Sequence, residues 1–443
     1  IIRQGHIDPK ILWDHAWPAG WIFWALGARL SGVELDGLAH VIPWIPFLWQ
    51  LALFFPVFIF LRNTIGKARA NYCWAGMWVF YLGNWSTELD TGAHCFGIFF
   101  VFSMLALFTM TLASRQRAAG LGNRIGTMIL FAASAIAHLL GSLTGLCITA
   151  ALFISRRVKF STLIILAVLV AAWSVFGATD FFATQGAGYL KTILRINEAV
   201  GNTMHEPLSG NASHAAVAAV RIATGALFVA IAIGGAILSL RRKLDIYTDI
   251  TVAAIAVGCS ISMLGVGTAY GTTVLQRTLT FLLPAIAYFA VKLLHSRKTA
   301  VVVGVVMLVA LPLSFISMYG NQAMDYMSQA YVTGADFFQD RTDHGFVTGN
   351  LPIGRMKYQE SYFFTPSFEE LEWEGDRLVY LGGHGDRSPH YICISSNDRA
   401  RYAFLWNEPD FIDKTDKRLQ VTTNSNLVYS NPDISLYIHE TQE

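Results

Sequence analysis

The sequence predicts a mostly α, polytopic transmembrane helical bundle of about 10–11 spans, followed by a small C-terminal soluble domain that is α/β or β-rich. Three observations predict it. The chain of 443 residues is 54% hydrophobic and only 14% charged, whereas soluble domains carry about 25% charged residues. Apolar runs of roughly the length needed to cross a bilayer, about 20 residues, recur up to residue 319. Beyond Gly320 the chain turns polar, and short strand-like segments alternate with Gly, Asn, Asp and Pro. Residues 1–320 are expected to form the membrane domain, with 1–40 as an external loop and interfacial helix, and 321–443 an extracytoplasmic domain.

The chain opens on "GHIDPKILWDHAWPAGW", a crowd of Asp, His, Pro and Trp. An amphipathic or buried helix is expected at 17–30, and Trp13, Trp17, Trp21 and Trp24 read as an interfacial aromatic belt. Because the first residue is Ile1, not Met, an upstream segment is expected to precede it. Apolar runs follow at 41–62, 71–84, 93–114, 125–155, 161–179, 214–240, 249–268, 275–295 and 299–319. The run 125–155 is too long for one span and is broken by "HLLGSLTG", which predicts two short helices with a turn around Gly141.

Charge sorting supplies the topology. Arg62/Lys67/Arg69, Arg115/Arg117/Arg124, Arg156/Arg157/Lys159, Arg241/Arg242/Lys243 and Arg297/Lys298 fall in alternate loops, which are expected to face the cytoplasm. A net charge of +2 without a basic stripe gives no reason to expect a nucleic-acid partner. The five Cys form no disulfide framework and read as small core residues. In the C-terminal part, "RLVYLGG", "HYICISS", "RYAFLW" and "LQVTT" are expected as strands, and "NLVYSNPDISLYI" as a hairpin turning at Asn431-Pro432-Asp433.

Carboxylates and imidazoles gather in the outward loops, where such groups can bind a divalent cation or act as a base. Asp8 precedes Pro9 and reads either as a turn or helix N-cap or as a catalytic acid. Glu88 and Asp90 in "STELDTG" are a loose pair or solvated loop acids. His138 ends a short helix and either satisfies a buried carbonyl or touches substrate. Arg221 lies about two turns inside an apolar helix, where an unused guanidinium is costly, so it is a functional candidate. Arg277 either snorkels to lipid headgroups or grips a phosphate. Asn84-Trp85-Ser86 and Asn211-Ala212-Ser213 match the glycosylation tripeptide.

The "GHID" loop followed by a Trp-Pro helix, the paired-span unit ending in "GNW" with an acidic loop after it, "AHLLGSLTG", "RTLTFLLPAIA" and "LVYSNPDISLYI" together resemble the GT-C superfamily of integral membrane glycosyltransferases, especially its archaeal-type multi-spanning members. The resemblance implies a polyprenyl-phosphate-linked sugar donor and an essential carboxylate in the first external loop. For some branches it also implies a divalent metal, Mg²⁺ or Mn²⁺, held by acids of the first two external loops. Carried onto this chain, Asp8, Glu88 and Asp90 become the catalytic acids, with Asp8 and Asp90 as metal ligands. His6, Asp14, His138, Arg221 and Arg277 become substrate-binding residues, the two arginines gripping phosphate. It further implies a helix and its catalytic acid upstream of Ile1.

The function expected is sugar transfer from that donor to a glycan, lipid or protein acceptor on the extracytoplasmic face of the plasma membrane, by a multi-pass protein in contact with membrane lipids. Two alternatives are a transporter or flippase of a lipid-linked saccharide and a non-catalytic envelope-assembly protein. A transporter places polar, broken helices at the bilayer midplane and often shows inverted repeats. Here the ionisable residues gather at the outer boundary and no repeat stands out.

Overall fold

The computed structural model describes residues 16–32, 41, 44–66, 70–85, 93–113, 121–184, 210–243, 245–270, 273–324, 326, 328–341, 347–349, 368, 371–374, 377–380 and 391–439. The chain is mostly helical and divides into two compact units, one of Ile1–Glu206 with Val220–Met318 and one of Pro207–Ala219 with Tyr319–Glu443.

The helices of the first unit are α1 (Ala19–Ser31), α2 (Ile45–Ile65), α3 (Ala70–Gly83), α4 (Ala93–Ala113), α5 (Leu121–Ala137), α6 (Leu139–Ile154), α7 (Phe160–Phe176), α8 (Ala212–Arg242, its first residues in the other unit), α9 (Ile246–Tyr270), α10 (Thr273–Lys292) and α11 (Arg297–Tyr319). Among the described residues, Ile45–Ile65, Ala212–Arg242 and Arg297–Met324 are long and apolar enough to cross a membrane. Shorter apolar stretches of 16 and 17 residues include Leu139–Ile154 and Phe160–Phe176, which extend about 24–26 Å. The lateral surface of α11 is apolar and open, with Val301, Val302, Val305, Leu308 and Phe315 exposed. So large an apolar surface on a folded chain belongs in lipid, and the protein is a membrane protein.

Helices that are apolar all round cannot choose their packing face by hydrophobicity, so shape and small residues decide it. A side chain on Gly258 of α9 would run into the Ile148 backbone of α6, and Thr144 and Ser262 share a hydrogen bond of 3.0 Å across the same pair. On α8, a Cβ at Gly235 would collide with the Phe289 carbonyl of α10, whereas the adjacent Gly234 has nothing within 4 Å. Gly235→Ala should therefore lower thermal stability by about 1–3 kcal/mol through overpacking. Gly234→Ala should leave it unchanged or raise it by up to about 1 kcal/mol through helix propensity. Thermal unfolding of the two variants in detergent checks the contrast.

Two expectations about this unit are corrected. The run 125–155 does break into two helices, but at His138, not at Gly141, because His138 caps the second helix while Gly141 is needed inside it. Trp17 is not an interfacial anchor: it is 2% exposed and packs edge-on against Phe181 at 4.8 Å, beside Ala16 and Ala178. Trp173 reinforces that seat by donating its indole N–H to the Ala16 carbonyl at 3.0 Å.

At the end of this unit that carries the basic clusters, Asp249 of α9 is buried and fully engaged. Lys292 of α10 approaches its carboxylate at 3.2 Å, Tyr288 donates at 2.7 Å and Ser239 of α8 at 2.5 Å. One ionic network thus ties three helices together.

The second unit contains α12 (Gln329–Arg341), β1 (Val347–Thr348), β2 (Leu371–Glu374), β3 (Arg377–Tyr380), β4 (Tyr391–Ser395), α13 (Ser396–Arg401), α14 (Phe411–Val421), β5 (Ser425–Ser430) and β6 (Ile434–His439). A four-stranded sheet runs β1-β4-β6-β5, with β1 parallel to β4 and the other pairs antiparallel, while β2 and β3 form a separate hairpin. Alternation along β4 sorts its side chains between two faces. Cys393 packs with Tyr331 and Phe338 of α12, and Ile392 and Ile394 pack with Tyr402, Ile412 and Leu419 on the other side. Burial raises the Cys393 thiol pKa well above its ordinary value, so this cysteine stays a protonated core residue.

The final hairpin forms as the sequence predicts, with the Asn431 side chain accepting from the Asp433 and Ile434 N–H groups. "RYAFLW" and "LQVTT" are corrected: the first continues α13 through a π-helical turn at Tyr402–Trp406, and the second begins as the end of α14. Ser395 and Asp398 form a capping box that starts α13, and Ile412, Thr415 and Leu419 recur on one face of α14.

Candidate functional site

Polar side chains that the apolar helices do not explain collect at the ends opposite the basic clusters. They belong to α2, α3, α4, α6, α8 and α11, and apart from Asn211 and His214 at the start of α8 they lie in the first unit.

His138 is extended, with φ −164° and ψ 135°, and its Nδ1 accepts the Leu140 N–H at 3.2 Å. An accepting Nδ1 places the proton of the neutral ring on Nε2. The His94 ring lies 6.0 Å away, centroid to centroid. The two imidazoles meet because α4 and α6 approach through Gly97 and Gly141, where an added Cβ on Gly141 would lie 3.0 Å from Gly97 Cα and 2.8 Å from Ser134 Oγ. Of the two readings made from sequence, a buried carbonyl or substrate, the first is corrected in its partner: the ring accepts from a backbone N–H.

The "GNW" residues close the end of α3. Gly83 would clash with Leu283 if it carried a side chain, Asn84 is 3% exposed and Trp85 is buried. Asn84 Nδ2 donates to Gln50 Oε1 at 3.2 Å, while Asn84 Oδ1 and Trp85 Nε1 are buried without a hydrogen-bond partner among the described residues. The first tripeptide therefore does not present its amide to an outside enzyme. Asn211 of the second caps α8, accepting from the His214 N–H at 2.9 Å.

Arg221 lies inside α8, and its Nε donates to the Ser317 carbonyl at 2.8 Å. That carbonyl belongs to the last turn of α11, where backbone acceptors have no intrahelical donor and the helix dipole favours a cation. Thr224, one turn along α8 on the same face, and Ser317 are both 0% exposed, and neither hydroxyl has a hydrogen-bond partner among the described residues. Ser314, one turn before Ser317, reaches the Leu82 carbonyl at 2.5 Å and links this layer to α3. A guanidinium beside two buried hydroxyls that lack partners is an arrangement suited to oxygen-rich anions.

Asp8, His6, Asp14, Glu88 and Asp90 lie outside the described residues. Arg277 belongs to α10, and its side chain also lies outside them. Among the described residues no group of three or more His, Cys, Asp or Glu side chains could hold a metal ion. The structure brings His138 together with His94, and Arg221 onto the Ser317 carbonyl, with Thr224 one turn along the same helix. Sequence reasoning singled out His138 and Arg221 and missed the hydroxyls, which carry no signal in an apolar helix.

No known family model matches the chain, and no curated protein does. Among solved structures it is similar to the crystal structure of the Archaeoglobus fulgidus oligosaccharyltransferase tethered by a disulfide bond to an acceptor peptide containing the NVT sequon. The TM-score is 0.56 at 12% sequence identity, over 99% of this chain and 68% of that one. At such identity the likeness concerns architecture alone: the chain shares the fold of the archaeal oligosaccharyltransferase.

Proposed function

We propose that the protein is a membrane glycosyltransferase that moves a sugar from a polyprenyl-phosphate-linked donor to an acceptor at the polar end of the first unit, which we assign with residues 321–443 to the extracytoplasmic side of a multi-pass chain. The observation that carries this reading is Arg221, held on the Ser317 carbonyl beside two buried hydroxyls without partners. The fold shared with the archaeal oligosaccharyltransferase supports the same reading, and the peptide held by that structural neighbour makes a peptide the acceptor to try first.

The reaction is displacement at the anomeric carbon. A bond forms between that carbon and the acceptor atom, the bond to the phosphate oxygen breaks, and the acceptor proton passes to a carboxylate. Asp8, Glu88 and Asp90 are the proposed carboxylates. Arg221 and Arg277 neutralise the departing polyprenyl phosphate, and His138, His6 and Asp14 hold sugar or acceptor hydroxyls. A Mg²⁺ or Mn²⁺ ion on Asp8 and Asp90 belongs to the same proposal, but no step here is routed through it.

The test is transfer from a polyprenyl-phosphate-linked sugar to a sequon peptide by the purified protein and by Asp8→Ala, Glu88→Ala and Asp90→Ala separately. At least one variant should lose about 10²–10⁴-fold, the usual contribution of a general base. Unchanged transfer in all three would remove the catalytic assignment.

A further inference from the structure

The basic ends of the helices form a surface that sugar transfer does not use. Arg156 stands at φ 59°, the left-handed conformation usual for the residue just past a helix C-cap, here Ser155 of α6. Its N–H bonds to the Phe153 carbonyl at 2.8 Å, and the next N–H, of Arg157, bonds to the Leu152 carbonyl at 2.8 Å. This locked turn directs Arg157 across to the start of α9. There its Nη2 donates to the Tyr247 carbonyl at 3.2 Å, and its guanidinium carbon lies 3.4 Å over the Tyr247 ring. The Nε of the same guanidinium is buried and has no hydrogen-bond partner among the described residues.

Charge and grease are layered around this contact. Arg156 and Lys159 on one turn, and Arg241, Arg242 and Lys243 on the turn that leads into α9, are exposed. Immediately beside them in the helices Ile154 is 79% exposed, Phe160 56%, Ile246 41% and Tyr247 53%. The acids nearest in sequence are Asp245, occupied with the Thr248 N–H and hydroxyl, and Asp249, buried with Lys292. Cations above an exposed apolar collar complement one ligand chemistry: a phosphate headgroup attached to acyl or isoprenoid chains.

We propose that the turn 155–159 and the α8–α9 turn together form a seat for an anionic phospholipid, with Arg156, Arg157, Lys159 and Arg241–Lys243 around the headgroup and Ile154, Phe160 and Ile246 along its chains. The site is separate from the proposed transfer chemistry and does not depend on it. Its occupant is a lipid of the surrounding membrane, and an anionic headgroup is what distinguishes it from the bulk.

The test uses the full chain purified in a zwitterionic detergent and titrated with dioleoyl phosphatidylglycerol, dioleoyl phosphatidylcholine or inorganic phosphate, with thermal unfolding as the readout. Phosphatidylglycerol should raise Tm in a saturable way, and the other two should not at the same concentrations. The exposed pair Arg156→Gln with Lys159→Gln, which removes no tertiary contact seen here, should shift the half-saturating lipid concentration by about 10- to 30-fold, since each basic group near a headgroup contributes about a factor of five. Arg157→Gln should shift it further, with Tm without lipid showing whether the fold is retained. Equal stabilisation by phosphatidylcholine, or an unchanged titration in the Arg156/Lys159 double variant, would overturn the proposal. Full reproduction of the effect by inorganic phosphate would replace the lipid by a free anion and would equally overturn it.

Discussion

Replacing Arg221 by Ala is expected to lower glycosyl transfer by about 10²–10³-fold, the cost of removing one well-placed donor from developing charge on a leaving group. Arg221 is fixed by its Nε contact to Ser317, so its charge is held in place before any substrate arrives. In the proposed reaction, departure of a polyprenyl phosphate builds negative charge where a low dielectric makes a nearby cation most effective. Arg221→Lys keeps the charge but loses the planar fork and should recover only part of the rate. If the arginine merely capped α11, the Ala variant would melt earlier yet turn over normally per folded molecule. Measuring kcat, KM and Tm on the same preparation separates the two roles.

The largest stability effect should come from the opposite end. Lys292→Met removes the only cation that the structure pairs with Asp249 among the described residues, leaving a carboxylate that is 2% exposed with just the Tyr288 and Ser239 hydroxyls. Uncompensated buried charges cost about 3–5 kcal/mol, so this variant should unfold at a markedly lower temperature. Replacing both partners, Asp249→Leu with Lys292→Met, should restore most of the loss, because a buried pair gains little over apolar residues of similar size. A double variant no more stable than Lys292→Met alone would show that the network does not behave as a paired charge.

The helices of the first unit were legible because continuous apolar runs carry their own boundaries, as at Phe160–Phe176 and Ile246–Tyr270. The terminal hairpin was legible because Asn431 and Asp433 supply turn chemistry on the spot. "RYAFLW" misled because a short aromatic run fits a strand or a helix equally, and the nearby Ser395–Asp398 capping box was the signal that decided it. The partnership of Asp249 with Lys292 had no sequence signature, since residues 43 positions apart meet only through packing of α9 on α10. In the candidate site, Arg221 stood out because charge is costly inside an apolar run. Thr224 and Ser317 did not, since a hydroxyl in a helix usually bonds to its own backbone. Gly141 was read as a turn for a related reason: its role, close approach to Gly97, depends on a neighbour that the local sequence does not reveal.

The central claim is that the protein makes a glycosidic or N-glycosyl bond, as opposed to moving a lipid-linked saccharide intact. The direct measurement supplies the protein, reconstituted in sealed vesicles, with a polyprenyl-phosphate-linked sugar and an excess of sequon peptide, and follows both peptide mass and donor lipid. The account predicts peptide heavier by the transferred sugar residue, with one polyprenyl phosphate released for each sugar attached. Donor that crosses the bilayer unchanged, with no mass added to the peptide or to any other acceptor supplied, would contradict it.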